Sequence, residues 1–324
     1  MRIILLNVWD DKGNTMIHSA LRHTFKRSLS VLACSAALVS APFAFADAYN
    51  VETLYGSITV PDEPQRVVVL DDAALDTALT VGVTPVGTLA TRGGTAVPDY
   101  LQEKAGDIQI VGAVREPNLE AIFAAEPDLI IATSSTDKAL YDKLSQIAPT
   151  VVSTYKTGQP WEEGVMFYAT ALNKGDELKG KIDEIHTRLA DLKSQLPEGK
   201  TVSVVRWNPQ GPIVMSDRLF IGQILETLGM KVPEIATGMG ARPHSDTLSL
   251  ENLSQVDGDW LYLATLNSDG KEALDAARKQ PAFERLDAVK QGHVATVDGQ
   301  IWSSGYGVMA ADSVLDTLES TLAK

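Results

Sequence analysis

Cysteine is almost missing from this chain: its 324 residues hold a single one, Cys34. An internal disulfide and a cysteine-held metal site are thereby excluded. Histidine is nearly as scarce, with five residues, of which only His186, His244 and His293 follow the N-terminal segment. A zinc or manganese site built from several imidazoles has too few donors to draw on. Positive charge is also short, with 28 Lys and Arg against 42 Asp and Glu and a net charge of −14. The first 46 residues carry five basic and two acidic side chains, so the remainder stands at −17. An acidic body disfavours nucleic acid and anionic membrane surfaces as partners. Past the N-terminal segment, no run approaches the roughly 18–20 apolar residues of a spanning helix. No Gly-x-Ser-x-Gly elbow occurs. Ser-x-x-Lys at residues 135–138 and Lys-Thr-Gly at 156–158 lack an intervening Ser-Asp-Asn, and enzymatic chemistry finds no footing in them.

What is present begins with a processing signal. Lys26 and Arg27 form a basic lead, residues 29–45 an apolar stretch, and Ala44-Phe45-Ala46 a small-x-small cleavage site before Asp47. Residues 1–46 are read as a cleaved signal peptide of an exported protein. Residues 1–15 fit poorly ahead of such a signal, and the start is expected at Met16. Cys34 offers a second reading as a lipoprotein anchor, but the 12 residues after it are apolar or small and supply no polar tether.

Short apolar runs alternate with amphipathic stretches through the rest of the chain. A β-hairpin is expected over residues 49–61, with Gly56 in its turn. Strands follow near 66–70, 84–89, 108–111, 129–133 and 150–153, and helices at 73–80, 99–104, 119–125 and 138–147. Such alternation implies a parallel, helix-covered sheet. Over residues 161–196, Leu178, Ile182, Ile185, Leu189, Leu192 and Leu196 recur every three or four positions, the pattern of a long amphipathic helix closed by Pro197. A second α/β set runs from 202, with strands at 202–206, 260–264 and 293–297 and helices at 220–228, 271–279 and 308–322. The fold class is therefore α/β, with two lobes, each carrying a mainly parallel sheet, joined by one long rigid helix. The boundaries are 47–158, 159–197 and 198–324.

Ligands of open α/β sheets settle beyond the carboxyl ends of strands. That rule selects Asp71-Asp72, Thr91-Arg92, Arg115 and Ser134-Ser135 in the first lobe. In the second it selects Arg206-Trp207, Arg242 with His244, and Trp302 with Tyr306. Arginine offers planar, permanently charged donors that pair two anionic oxygens, and tryptophan a flat surface at low rotamer cost. The set suits an anionic, bulky ligand with an aromatic contact. For each residue a plainer role remains open: surface ion pairing for Arg115, loop position for Arg92, Arg242 and His244, and packing under the last helix for Trp302 and Tyr306.

The segments "PQRVVVLDDAALDTALTVGVTPVG", "VGAVREPNLEAIFAAEPDLIIATSS", "YDKLSQIAPTV", "SVVRWNPQGPIVMSDRLFIGQILETLGM" and "QGHVATVDGQIW" closely resemble periplasmic proteins that carry ferric siderophores to ABC importers. The ferric dicitrate and hydroxamate branch, related to the vitamin B12 binders, is the nearest likeness, and it spans the chain from about Tyr49 onward. The resemblance implies a class III bilobed binding protein that is no enzyme. It implies a ferric siderophore, citrate-based or hydroxamate, as ligand, and no resident cofactor, the iron being held by the siderophore. A monomer delivering to an inner-membrane ABC permease is expected. Haem or vitamin B12 is the alternative ligand, with Tyr306 or His244 facing haem. In the family a first-lobe arginine follows "VG" by two residues, a place occupied here by Val114, with Arg115 one later. One docking glutamate per lobe is also implied, at Glu120 in "NLEAI" and Glu226 in "QILETLG".

Overall fold

A computed structural model describes residues 48–240 and 242–322. The signal segment, with Met16 and Cys34, lies outside the described residues. The expected hairpin pairs β1 (Ala48–Thr53) with β2 (Gly56–Pro61). The chain then alternates through β3 (Val67–Val69), α1 (Asp72–Thr80), β4 (Gly87–Ala90), α2 (Asp99–Ala105) and β5 (Gln109–Ala113). It continues with β6 (Glu116–Pro117), α3 (Leu119–Ala124), β7 (Leu129–Ala132), α4 (Lys138–Leu144) and β8 (Thr150–Val152). These strands form a sheet in the order β6-β5-β4-β3-β7-β8, parallel except for the β5–β6 pair. Every residue of β3, β4, β7 and β8 is buried, as strands covered on both faces require.

Three helix starts of the first lobe are written in the sequence as side-chain caps. Asp71 caps α1 by accepting from the backbone N–H of Ala73 (2.9 Å) and Ala74 (3.3 Å). Asn118 caps α3, and Asp137 caps α4.

The connecting segment is helical through most of its length but divided. Helix α5 (Trp161–Ala171) ends at Leu172, and α6 (Gly175–Gln195) starts after Lys174. Asn173 between them takes the left-handed conformation (φ 55°), which asparagine tolerates better than most side chains. One continuous helix over 159–197 is thus corrected to two, the long amphipathic one retaining the expected buried stripe from Leu178 to Leu192.

The second lobe comprises β9 (Val202–Asn208), β10 (Gly211–Val214), α7 (Phe220–Thr227), β11 (Trp260–Thr265) and α8 (Ser268–Ala277). It closes with α9 (Pro281–Glu284), α10 (Asp287–Gln291), β12 (Val294–Asp298), α11 (Gly299–Ser303) and α12 (Val308–Leu322). Its sheet order is β10-β9-β11-β12, with β10 antiparallel at the edge. Val204 and Tyr262 pack on one face against α6, α7 and α12; Val205, Trp207, Leu261 and Leu263 pack on the other.

The two lobes are stitched together by a buried carboxyl. Asp76, within α1 of the first lobe, accepts hydrogen bonds from the backbone N–H of Met309 (3.1 Å) and Ala310 (3.0 Å) at the start of α12. Those donors have no partner within their own helix, and the helix dipole favours a carboxylate there. Gly307 makes the approach possible, since a Cβ at that position would lie 2.2 Å from the Asp76 carboxyl carbon. Val81, Tyr100 and Tyr306 pack against the cores of both lobes along the same seam. On the outer side of α12, Arg188 of α6 pairs with Asp312 (2.8 Å), Asp316 (2.9 Å) and Glu319 (2.9 Å).

Replacing Asp76 with Ala strands two buried N–H donors, and denaturant unfolding should show a loss of about 2 kcal/mol. An unchanged midpoint would mean that the seam does not rely on this cap. Burial raises the Asp76 carboxyl from its ordinary 3.8 to about 6, against the opposing pull of its hydrogen bonds. The folded state then holds this proton more tightly than the unfolded chain. Its contribution is fully present below pH 4 and falls as pH rises toward 6, by roughly 2–3 kcal/mol. Stability of the wild type relative to Asp76→Asn should accordingly decline between pH 4 and 6.5; a pH-independent difference would contradict the assignment.

Candidate functional site

In a parallel sheet all strand ends of one sense lie on one edge, and the loops leaving them meet there. In the first sheet the chain steps from β3 to β4 and β5 on one side, then returns to β7 and β8 on the other. The reversal between β3 and β7 opens a crevice at their carboxyl ends. A cavity of about 670 Å³ occupies it.

The loop after β3 supplies Asp71 and Asp72, the loop after β4 Arg92, and the β5–β6 turn Val114 and Arg115. Residues 133–136 follow β7, while Ser153 and Tyr155 follow β8. Tyr168 rises from α5, and the residues 304–306 close the cavity from the second-lobe side. A smaller cavity of about 120 Å³ adjoins it, sharing Tyr155, Thr157 and Tyr306 and adding Arg218 and Trp302.

Tyrosines and carboxyls make the floor. The Tyr168 hydroxyl lies 3.3 Å from the Tyr306 hydroxyl and 3.5 Å from Asp71 Oδ1, to which it donates. The rings of Tyr155 and Tyr306 are tilted against each other at 5.2 Å. Burial holds the phenols of Tyr168 and Tyr306 far above their usual range and raises Tyr155 to about 12, so all three are neutral donors near pH 7. Asp71 rises to about 7 through burial and the neighbouring charge of Asp72. Asp72 is raised by burial too, although it accepts from Thr91 Oγ1 (2.7 Å) and feels the charge of Arg92.

Cationic groups ring the mouth. Arg92 and Arg115 are exposed, and Arg115 holds a left-handed backbone (φ 71°) in the two-residue turn between β5 and β6. Through that turn Arg115 reaches the cavity together with Val114, although the arginine stands one place later than the family pattern expects. Arg206 projects from the end of β9, half-buried, outside the cavity lining. Burial and the nearby charge of Arg92 lower its pKa, and its buried Nε has no hydrogen-bond partner among the described residues. Among the described residues, the arginine ion pairs are made by Arg188 and Arg242, not by Arg92, Arg115 or Arg206. Arg92 and Arg206 feel each other's charge, and neither is held in an ion pair among the described residues, which leaves room for an external anion.

Four expected residues are elsewhere. Adjacent residues of a strand face opposite sides, so Arg206 turns toward the first lobe while Trp207 turns away into the second-lobe core against Phe283, 2% exposed. Trp302 is also buried: it stacks on Tyr262 at 4.5 Å and touches only the smaller cavity. Arg242 sits on the surface by Asp246 (3.4 Å), lining a separate hollow of the second lobe. His244 bonds the Ser245 carbonyl (2.7 Å) and does not line the main cavity. Arg92, Arg115 and Tyr306 do meet there. Tyr155, Tyr168 and Arg218 were not anticipated. Tyr155 follows a strand end and was open to the rule applied to the other strands. Tyr168 lay inside a helix read as a connector, and Arg218 follows an edge strand that sequence alone did not reveal.

Glu120 and Glu226 lie on α3 and α7, both exposed and without an ion pair among the described residues. No group of three or more His, Cys, Asp or Glu able to hold a metal occurs among the described residues.

Residues 67–301 match the family model described as periplasmic binding protein. The probable siderophore-binding lipoprotein YfiY of Bacillus subtilis is 34% identical over 279 residues, covering 83% of this chain and 85% of that protein. The Fe(3+) dicitrate-binding periplasmic protein FecB of Escherichia coli is 28% identical, covering 82% and 88%. Among solved structures, Staphylococcus aureus SirA complexed with staphyloferrin B superposes with a TM-score of 0.73 at 24% identity, covering 85% of this chain and 98% of that one. FeuA of Bacillus subtilis with ferri-bacillibactin gives 0.71 at 22% identity, with the same coverage. The chain belongs to the periplasmic binding protein family and is a solute-binding protein, not an enzyme.

Proposed function

We propose that this protein is the substrate-binding component of an ABC-type iron importer and that it captures a ferric siderophore, citrate-based or hydroxamate, in the 670 Å³ cavity. The observation that carries the ligand class is the set of arginines at the mouth, Arg92 and Arg115 with Arg206 beside them, none of them held in an ion pair among the described residues. Neutral tyrosine hydroxyls deeper in the cavity add donors for chelate oxygens. Relatives named for siderophore and ferric dicitrate binding support the same reading. The haem and vitamin B12 alternatives are set aside because these relatives are named for other ligands. Family membership supports an extracytoplasmic location, and the reading extends to export by the residues 1–46 signal, two lobes about the α5–α6 connection, and a monomer that docks on its permease through Glu120 and Glu226. The Asp76 cap on α12 supports small lobe movement on capture.

Tryptophan fluorescence titration against ferric citrate, ferric hydroxamates, a ferric catecholate, haem and cobalamin tests this function. Saturable binding of a ferric citrate or hydroxamate chelate is expected, and a response to haem or cobalamin alone would overturn the ligand class. Arg92→Ala and Arg206→Ala should each weaken that binding more than about tenfold, the scale of a charged hydrogen bond, whereas Arg242→Ala should leave it within about twofold. Equal effects in all three would dissolve the assignment. The Glu120→Ala/Glu226→Ala double variant should bind the chelate normally and fail to support its uptake; normal uptake would remove the docking role.

A further inference from the structure

The anion-binding reading leaves one buried group unexplained: a carboxyl at the bottom of a cavity meant for a negative ligand. Asp71 Oδ1 is fully engaged, accepting from Ala73 N–H, Ala74 N–H and the Tyr168 hydroxyl. Among the described residues no donor pairs with its Oδ2, and the residue is partly open where it lines the cavity. An ionised Oδ2 in this place would repel the chelate that the arginines attract. A protonated one would instead add a donor where the ligand presents oxygen.

The charged and titratable surroundings favour the proton. Asp72 follows on the same helix, and Asp76 lies further along it; Tyr168 faces Asp71 from α5, with Tyr306 and Tyr155 behind it. Asp137 lines the same cavity. Arg92 and Arg115 line it at the mouth, and the charge of Arg92 pulls Asp72 down against its burial. Burial and the Asp72 charge push Asp71 up to about 7 even before a ligand arrives, and an anionic ligand pushes it further.

We propose that Asp71 is a specificity-determining residue of this cavity: it binds the ligand in its protonated form, donates from Oδ2 to an anionic ligand oxygen, and makes capture take up one proton from solvent. The proposal rests on the anionic-chelate reading above. No bond is made or broken apart from the O–H formed on Asp71. Above pH 7 the free protein must acquire that proton, so affinity falls with rising pH; below pH 7 it is already there and the dependence flattens.

Isothermal titration of ferric dicitrate in phosphate and in Tris, whose ionisation enthalpies differ, counts the protons taken up. At pH 7.5 the wild type should take up more than about half a proton per ligand, and its affinity should fall about tenfold between pH 7 and 8.5. Asp71→Asn, which keeps the helix cap, should bind with little proton uptake and a flat profile. No uptake by the wild type, or equal uptake by both, overturns the proposal. A second measurement does not depend on the chelate: carbon-13 NMR of aspartate-labelled, ligand-free protein. A carboxyl that titrates near pH 7 and is missing from Asp71→Asn supports the proposal, and an Asp71 already ionised at pH 6 overturns it. If ferric dicitrate gives no binding heat, the citrate-based form of the functional reading is what fails, and the NMR result still decides the role of Asp71.

Discussion

The bond between Asp76 and the first turn of α12 is the constraint on which the site depends. It joins a helix of the first lobe to the last helix of the second, through donors that α12 cannot satisfy itself. Tyr306 lies two residues before α12, so its ring position follows from that anchorage. Gly307 follows it because a Cβ there would strike the Asp76 carboxyl, and Gly305 precedes it where a Cβ would crowd the Gln300 carbonyl. Gly164 on α5 serves the same end, since a side chain there would strike the Tyr306 ring. A floor made of Asp71, Tyr168 and Tyr306 is thus assembled from three elements held by one buried contact.

The charge layout of the cavity runs from positive at the mouth to proton-holding at the base. Exposed arginines keep their charge at any working pH and draw anions inward. The partly buried carboxyls of Asp71 and Asp72 shift upward because the interior solvates them poorly. Water-facing and buried charge therefore do different work within one cavity. The acidic shell of the protein, at −14 overall, does not prevent anion capture, because charges beyond a Debye length are screened while those lining a cavity are not.

Two-lobed α/β architecture was legible because it is written in local chemistry. The apolar run at Leu129–Ala132 names a strand covered on both faces, and Asp71, Asn118 and Asp137 mark helix starts that the structure keeps. Short or irregular pieces escaped: β10, with Gly211 and Pro212, is an edge strand of four residues, and α9 to α11 span four or five residues each. The helix break at Asn173 was hidden because apolar residues continue on either side of it. Within the site, the strand-end rule found Arg92 and Arg115. It failed for Trp207, where the alternation of side chains along β9 sends neighbours to opposite faces and only one of them can look into the crevice.

By itself the sequence determined the longer elements, their order, the acidic balance and the scarcity of metal donors, since each is read from residue types and from neighbours along the chain. Tertiary structure alone decided which side chains share the cavity. Asp71, Arg92, Tyr168 and Tyr306 are separated by up to 235 residues, and they meet only because parallel strands bring their loops to one edge and the Asp76 cap brings α12 to the seam. The raised carboxyl of Asp71 has the same origin: its neighbours on the chain supply Asp72, but the burial that shifts it comes from α5 and the residues before α12 folding over it.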